Sequence, residues 1–123
     1  MKKRILYVED NEDNVYMLSR RLERKGYTVD IALTGEDGVA AALSSPPDLI
    51  LMDLSLPGID GWEAISLIRA QSNTLFPIIV LSAHAMESHI AQSLAAGATD
   101  FESKPIDFKA LMEKIHYHIG ESQ

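Results

Sequence analysis

The sequence predicts an α/β fold in which five parallel strands form one sheet with helices on both faces. Short apolar runs of strand length alternate five times with segments whose apolar residues recur at helical spacing. Strict alternation of strand and helix favours a parallel sheet covered on both sides. The chain has 123 residues, which suits a single domain over residues 1–123 built around one hydrophobic core.

The strands are predicted from apolar runs that are bounded by polar or turn residues. They are residues 5–8, 27–32, 49–52, 78–81 and a short segment around Phe101. The first, third and fourth runs are apolar at every position, which is typical of strands buried on both faces.

The helices are predicted from apolar spacing and from residues that cap or end a helix. Apolar residues recur at intervals of three or four: Val15, Leu18 and Leu22; Val39 and Leu43; Ile65 and Ile68; Ile90 and Leu94; Leu111, Ile115 and Ile119. Asn11 and Thr34 are predicted N-caps. Gly26, Gly97 and Gly120 are predicted to end the first, fourth and fifth helices.

Composition and charge exclude several classes of protein. The net charge of −7 disfavours binding to nucleic-acid phosphates. No apolar stretch approaches the ~20 residues that a membrane-spanning helix needs. The chain has no cysteine, so disulfides and thiolate metal sites are excluded. We therefore expect a cytoplasmic protein without nucleic-acid or membrane partners.

Polar residues follow the predicted strands at the points where the strands end. Glu9 and Asp10 follow the first strand, Asp53 the third, Ser82 the fourth and Lys104 the fifth. In a parallel sheet these ends lie along one edge, where ligands bind in such folds. The sequence therefore predicts one site that holds three carboxylates, a hydroxyl and an amine.

This set of side chains favours a magnesium site. Three neighbouring carboxylates repel one another, and Lys104 supplies only one compensating charge. Mg²⁺ prefers oxygen ligands and suits phosphate chemistry. Zinc would need histidine or cysteine ligands, and neither lies at the predicted strand ends.

The same set of side chains suits the formation of an acyl phosphate. A carboxylate can attack phosphorus, and catalysis then depends on positioning and charge neutralisation. Asp53 is the expected acceptor because it ends the central strand. Glu9 and Asp10 would hold the metal, while Lys104 and Ser82 would contact phosphoryl oxygens.

The sequence resembles the receiver domain of two-component response regulators over essentially its whole length. The matching segments are residues 5–11 (ILYVEDN), 48–54 (DLILMDL), 56–61 (LPGIDG), 81–83 (LSA), 97–98 (GA) and 104–105 (KP). The resemblance implies a flavodoxin-like (βα)5 fold. It also implies a phosphoacceptor switch that catalyses only its own phosphorylation and dephosphorylation.

The resemblance also implies roles for particular residues at the metal site. Asp53 would accept a phosphoryl group from a sensor histidine kinase or a histidine phosphotransfer protein. Asp10, Asp53 and the backbone carbonyl of Ser55 would bind Mg²⁺, with Glu9 contributing directly or through water. Ser55 and His84 would modulate the site.

The resemblance further implies that a second group of residues transmits the signal. Ser82 would be the switch hydroxyl and Phe101 the switch aromatic, and a cis peptide bond would join Lys104 to Pro105. The surface of the fourth helix, fifth strand and fifth helix would then change and meet a downstream protein. The family more often has threonine at Ser82, tyrosine at Phe101 and an apolar residue at Glu102.

Several alternatives stay open at this point. We expect a stand-alone receiver, monomeric or weakly dimeric, but a receiver excised from a hybrid histidine kinase or a larger regulator has the same motifs. An aspartyl-phosphate phosphohydrolase would need a second acid shortly after Asp53, where Leu54 and Ser55 stand. A flavin mononucleotide binder would need a phosphate-cradling loop where residues 9–13 are mostly acidic.

Other conspicuous residues have structural interpretations. His116 and His118 are expected at the surface, and Trp62 at the edge of its helix. Met52 and Met112 are expected in the core.

Overall fold

All five predicted strands and all five predicted helices are present in a computed structural model, which describes residues 2–73, 75–83 and 86–120. The strands are β1 (Arg4–Val8), β2 (Thr28–Ala32), β3 (Leu49–Asp53), β4 (Ile78–Ser82) and β5 (Asp100–Ser103). The helices are α1 (Glu12–Arg24), α2 (Gly35–Ser44), α3 (Gly61–Gln71), α4 (Glu87–Ala96) and α5 (Phe108–Ile119). The predicted alternation is therefore confirmed, and each of the four strands with predicted bounds differs from the prediction by one residue at one end.

The strands form one parallel sheet in the order β2-β1-β3-β4-β5. This order makes β3 the central strand, as the sequence predicted. All the strands run in the same direction, so their carboxyl ends share one edge of the sheet. Asp53 is the last residue of β3 and Ser82 the last residue of β4, and both lie on that edge.

Helices cover both faces of the sheet. Ile5 and Tyr7 of β1 face one layer, which contains α1 and α5, while Leu6 and Val8 face the layer of α2, α3 and α4. Successive side chains of a strand point to opposite faces, so one apolar run supplies both cores. Every residue of β3 and β4 is buried, which explains why these two runs contain no polar residue before their ends.

The helix boundaries follow the predicted capping residues. The side chains of Asn11 and Thr34 accept hydrogen bonds from the backbone amides of Asn14 and Asp37, at the starts of α1 and α2. Such bonds satisfy amides that have no partner within the helix. Gly26, just beyond α1, adopts a φ of 96°, a conformation that favours glycine.

The start of α3 lies directly against the strand that carries Asp53. A Cβ atom at Gly61 would lie 2.6 Å from the carbonyl oxygen of Asp53 and 2.8 Å from the Cα of Leu54. Only glycine allows this close approach of the two backbones. Gly61 therefore sets how tightly the loop after Asp53 folds over the sheet edge.

Two further expectations concern the core and the membrane. Met52 and Met112 are buried, as predicted, in the two opposite layers of the core. Within the described residues, no helix combines the length and the apolar character needed to cross a bilayer.

Candidate functional site

The three predicted carboxylates meet at the carboxyl edge of the sheet. One oxygen from each of Glu9, Asp10 and Asp53 lies within 4.8 Å of the others. Glu9 and Asp53 are 1% and 3% exposed, whereas Asp10 is exposed. The cluster is therefore built from two buried acids at the ends of β1 and β3 and one acid that faces solvent.

Lys104 bridges the two buried carboxylates. Its Nζ lies 3.2 Å from Glu9 Oε1 and 3.2 Å from Asp53 Oδ1. Burial by itself would lower the pKa of Lys104, but the Asp53 and Glu9 carboxylates outweigh burial and raise that pKa. Lys104 is therefore a fixed positive charge directly beside the Asp53 carboxylate.

Glu9 accepts hydrogen bonds from residues that sequence reasoning missed. The Tyr7 hydroxyl donates to Oε1 at 3.3 Å and the Asn14 side-chain amide donates to the same oxygen at 3.4 Å. The backbone amide of Asn11 donates to Oε2 at 3.3 Å. Tyr7 could have been found from the two-residue repeat of a strand, which places it on the same face as Glu9.

Tyr7 is buried beneath the acid cluster. Burial, and then the nearby charges of Glu9 and Asp53, raise the pKa of the Tyr7 hydroxyl well above its usual range. The hydroxyl therefore stays protonated and acts as a hydrogen-bond donor to Glu9. It does not add a fourth negative charge to the cluster.

The donor set fits a hard divalent cation. All candidate ligand atoms in the cluster are carboxylate oxygens, and Lys104 offsets only one of three negative charges. Asp10 is exposed, so an ion can reach the cluster while keeping some of its waters. Glu9 Oε2 accepts one bond from the described residues and has a second lone pair available.

Ser55 lies beside the carboxylate of Asp53. Its backbone amide donates to Asp53 Oδ1 at 3.3 Å, so the loop after β3 folds back over that side chain. Together with Lys104, this amide places two donors on the same oxygen of Asp53.

Ser82 and Phe101 occupy the neighbouring strands β4 and β5. Ser82 is 2% exposed at the end of β4, and the backbone amide of Lys104 donates to its carbonyl oxygen at 2.8 Å. Phe101 pairs with Val80 and packs, half-buried, against the core layer of α2, α3 and α4. The peptide bond between Lys104 and Pro105 is cis, as the resemblance implied. His84 lies outside the described residues.

An apolar cleft of about 520 Å³ adjoins the acid cluster on the α1 side. Met17, Ile106 and Phe108 are among the residues that line it, and so are Glu9 and Lys104. Met17 is 63% exposed, an unusual degree of exposure for a large apolar side chain. The cleft therefore offers an apolar contact surface directly next to the carboxyl edge of the sheet.

A second group of charges links β5 to α5 away from the acid cluster. Glu102 is 8% exposed, and Lys114 Nζ lies 2.9 Å from its Oε2. Lys114 also donates to the carbonyl of Phe101. The predicted surface position of His118 is wrong, since its side chain is 13% exposed and its Nε2 lies 3.0 Å from Asp100 Oδ2. His116 is exposed, as predicted.

Asp100 is held in its charged form by these neighbours. Burial by itself would raise the pKa of its carboxyl, but hydrogen bonds from His118 and from the Phe101 amide, with the charge of Lys114, lower it. Sequence reasoning missed the pairing because β5 and α5 are joined by a loop, and their contact is set by tertiary packing.

A known family matches almost the whole chain. The sequence pattern of the response regulator receiver domain matches residues 5–116. Among individual proteins, the chain is 41% identical over 123 residues to the alkaline phosphatase synthesis transcriptional regulatory protein PhoP of Bacillus subtilis. It is also 34% identical over 114 residues to protein PilH of Pseudomonas aeruginosa.

The coverage of these relatives differs. The chain spans 51% of PhoP, so it matches about half of that regulator, whereas the match covers 94% of PilH. Among solved structures, the receiver domain of the sensor histidine kinase PA1611 of Pseudomonas aeruginosa is 36% identical, with a TM-score of 0.90. That match covers 98% of this chain and 100% of the other, whose active-site cleft holds a coordinated magnesium ion.

Proposed function

The chain belongs to the response regulator receiver domain family, and from that premise we propose that Asp53 accepts a phosphoryl group in two-component signalling. The observation that carries the proposal is the placement of Asp53 on the central strand, in contact with Lys104 and within the cluster that it forms with Glu9 and Asp10. Receiver domains are signalling switches rather than ordinary enzymes. We propose that residues 1–123 act as one such unit.

The proposed reaction moves a phosphoryl group from a phosphohistidine to Asp53. A carboxylate oxygen of Asp53 attacks phosphorus, a P–O bond forms, and the P–N bond to the donor imidazole breaks. The imidazole nitrogen keeps the electron pair of the broken bond. Lys104 lies 3.2 Å from Asp53 Oδ1, so its ammonium group can neutralise a phosphoryl oxygen as the bond forms.

We propose that Asp10, Asp53 and the backbone carbonyl of Ser55 bind Mg²⁺, with Glu9 contributing directly or through water. When bound, the cation neutralises charge on the transferring phosphoryl group and on the carboxylates around it. Tyr7, Asn14 and the Asn11 amide hold the Glu9 carboxylate in place through their hydrogen bonds. These bonds limit the movement of Glu9 when the charge of the site changes.

The signal would leave the site through Ser82 and Phe101. We propose that the Ser82 hydroxyl moves to a phosphoryl oxygen and that Phe101 changes its packing in response. The surface formed by α4, β5 and α5 would then change and meet a downstream protein. The phosphoryl group can shift this equilibrium only through contacts that differ between the two states.

The phosphoryl donor would be a sensor histidine kinase or a histidine phosphotransfer protein in the cytoplasm. Such a donor has to bring its phosphohistidine to the carboxyl edge of the sheet. The apolar cleft around Met17, Ile106 and Phe108 supports this docking, since it reaches the acid cluster and exposes apolar surface. The absence of cysteine is compatible with a reducing compartment.

Intact-mass analysis tests the acceptor assignment. With Mg²⁺ and a small acyl or amido phosphate donor, the protein should gain one phosphoryl group, and Asp53→Asn should gain none. Asp13→Asn is the matched control, because Asp13 is an exposed acid in the first turn of α1 and lies outside the acid cluster. Equal labelling of Asp53→Asn and wild type would overturn the assignment.

A further inference from the structure

Helix α4 has few buried attachments to the rest of the domain. Of its ten residues, all of them described, only Ser93 is buried, and Leu94 is 50% exposed. Its N-cap, Met86, makes no side-chain hydrogen bond, whereas the other four helices each begin with a capping side chain. The position of α4 therefore depends on a small number of specific contacts.

The buried residue of α4 is held by a side chain from α3. Trp62 Nε1 donates to Ser93 Oγ at 2.8 Å, and Ser93 Oγ donates to the carbonyl of His89 at 2.9 Å. The Trp62 and His89 rings also meet edge to face, with centroids 5.5 Å apart. The Ser93 hydroxyl thus acts as acceptor and donor at once, and the indole N–H has its partner.

A second side chain from α3 holds the end of α4. Arg69 follows Trp62 by seven residues, which is about two helical turns and places both on the same face of α3. Arg69 Nε donates to the carbonyl of Gly97 at 3.0 Å. Gly97 ends α4 with a φ of 119°. Helix α3 therefore holds α4 at its middle and at its carboxyl end.

We propose that the Trp62–Ser93 hydrogen bond is a latch that sets how often α4 separates from α3. When the latch opens, α4 moves about its carboxyl end, where Arg69 still holds Gly97. Trp62 is thus a positioning residue for α4. The consequence for signalling rests on the proposed function, in which α4 forms part of the surface that meets the downstream protein.

The strength of the latch suits a reversible device. One side-chain hydrogen bond contributes modestly to stability because water competes for both partners. Loss of the bond should raise the open population about tenfold, which corresponds to ~1.4 kcal/mol. The free energy of one new contact to a phosphoryl group is of the same size, so such a contact can offset the loss of the latch.

Hydrogen exchange of the unphosphorylated protein tests the latch without any phosphoryl chemistry. Ser93→Ala removes the acceptor, and Trp62→Phe removes the donor while keeping an aromatic ring. Ser88→Ala is the matched control, since Ser88 is an exposed serine of the same helix. Alanine favours helix more than serine does, so the control should not accelerate exchange in α4.

We expect both variants to exchange α4 amides about tenfold faster, and in the wild type α4 amides should exchange with a smaller opening free energy than those of β3, because the latch opens locally. The double variant should exchange little faster than Ser93→Ala alone, since that change already removes the Trp62–Ser93 bond. Unchanged α4 exchange in either single variant would overturn the latch. Equal opening free energies of α4 and β3 in the wild type would also overturn it, because α4 would then open only when the whole domain unfolds.

Beryllofluoride, which stands in for the phosphoryl group, tests the link to signalling. If the phosphoryl state favours open α4, removal of the latch should strengthen beryllofluoride binding by up to about tenfold. Equal affinity in wild type and Ser93→Ala would overturn this link. A wild-type protein that binds no beryllofluoride would instead overturn the proposed function, and hydrogen exchange alone would then decide on the latch.

Discussion

The hydroxyl of Tyr7 lies 3.3 Å from Oε1 of Glu9, inside a cluster of three carboxylates. Tyr7 is 2% exposed and lies two residues before Glu9, at the end of β1. The hydrogen bond satisfies a buried hydroxyl and holds a buried carboxylate in position. The stability of the sheet core and the geometry of the acid cluster are therefore coupled through this residue.

Replacing Tyr7 by phenylalanine should lower the free energy of unfolding by about 1 kcal/mol at neutral pH, because one buried hydrogen bond is lost. The free energy of unfolding of the wild type should also fall as pH rises above about 10, the usual pKa of a tyrosine in an unfolded chain. The pKa of Tyr7 is raised in the folded state, so the unfolded chain loses this proton at a lower pH than the folded protein does. Deprotonation therefore stabilises the unfolded chain relative to the folded protein. Urea unfolding from pH 7 to 11 should show a shallower decline in Tyr7→Phe. Parallel declines in the two proteins would contradict this assignment.

Magnesium should stabilise the protein, because only the folded chain assembles the acid cluster. At free Mg²⁺ tenfold above its Kd, the gain is about 1.4 kcal/mol, which raises the Tm by about 5 °C. Asp10→Asn should reduce this rise, while Asp13→Asn, with the same loss of charge, should keep it. Without metal, Asp10→Asn should melt slightly above wild type, because repulsion among the carboxylates is relieved. A wild-type Tm that is independent of Mg²⁺ would contradict the proposed site.

Ser82→Ala should separate acceptance of the phosphoryl group from its transmission. The variant keeps Asp53, Lys104 and the acid cluster, so beryllofluoride should still bind. Amide NMR of the wild type should show shifts that spread from Asp53 to residues 86–108, while those of the variant stay near the metal site. One charge-assisted hydrogen bond is worth roughly 1.5–3 kcal/mol, enough to change two populations at least tenfold. The same distant shifts in both proteins would show that this hydroxyl is not the coupling element.

Lys114→Met should destabilise the protein by about 2 kcal/mol, because it leaves the carboxylate of Glu102 buried without its cation. Lys109→Met, an exposed lysine of the same helix, is the matched control and should have little effect. Adding Glu102→Leu to Lys114→Met should restore most of the loss, since no unpaired charge is then buried. The urea midpoints of wild type, Lys114→Met, Lys109→Met and the double variant test this prediction. If Lys114→Met is as stable as wild type, the ion pair contributes little.

The fold could be predicted from the sequence because each signal for it is local. Continuous apolar runs predicted the buried strands, and Asn11 and Thr34 predicted helix starts through bonds to amides three residues away. The alternation of strands and helices then implied a parallel sheet, whose shared carboxyl edge brings Asp53 to Glu9 and Asp10. The acid cluster could therefore be predicted without any knowledge of distances.

Other contacts could be seen only in the folded protein, because the separation of the two residues along the chain does not indicate that they meet. The ion pair of Glu102 with Lys114, the bond of His118 to Asp100 and the bond of Trp62 to Ser93 all depend on how one element is rotated against another. Polar side chains at such positions look like ordinary surface residues in sequence, as His118 did. Their burial is set by the packing of the helices on the sheet. The periodicity of a helix specifies which of its faces is apolar, but it does not specify which residue of another element each polar side chain contacts.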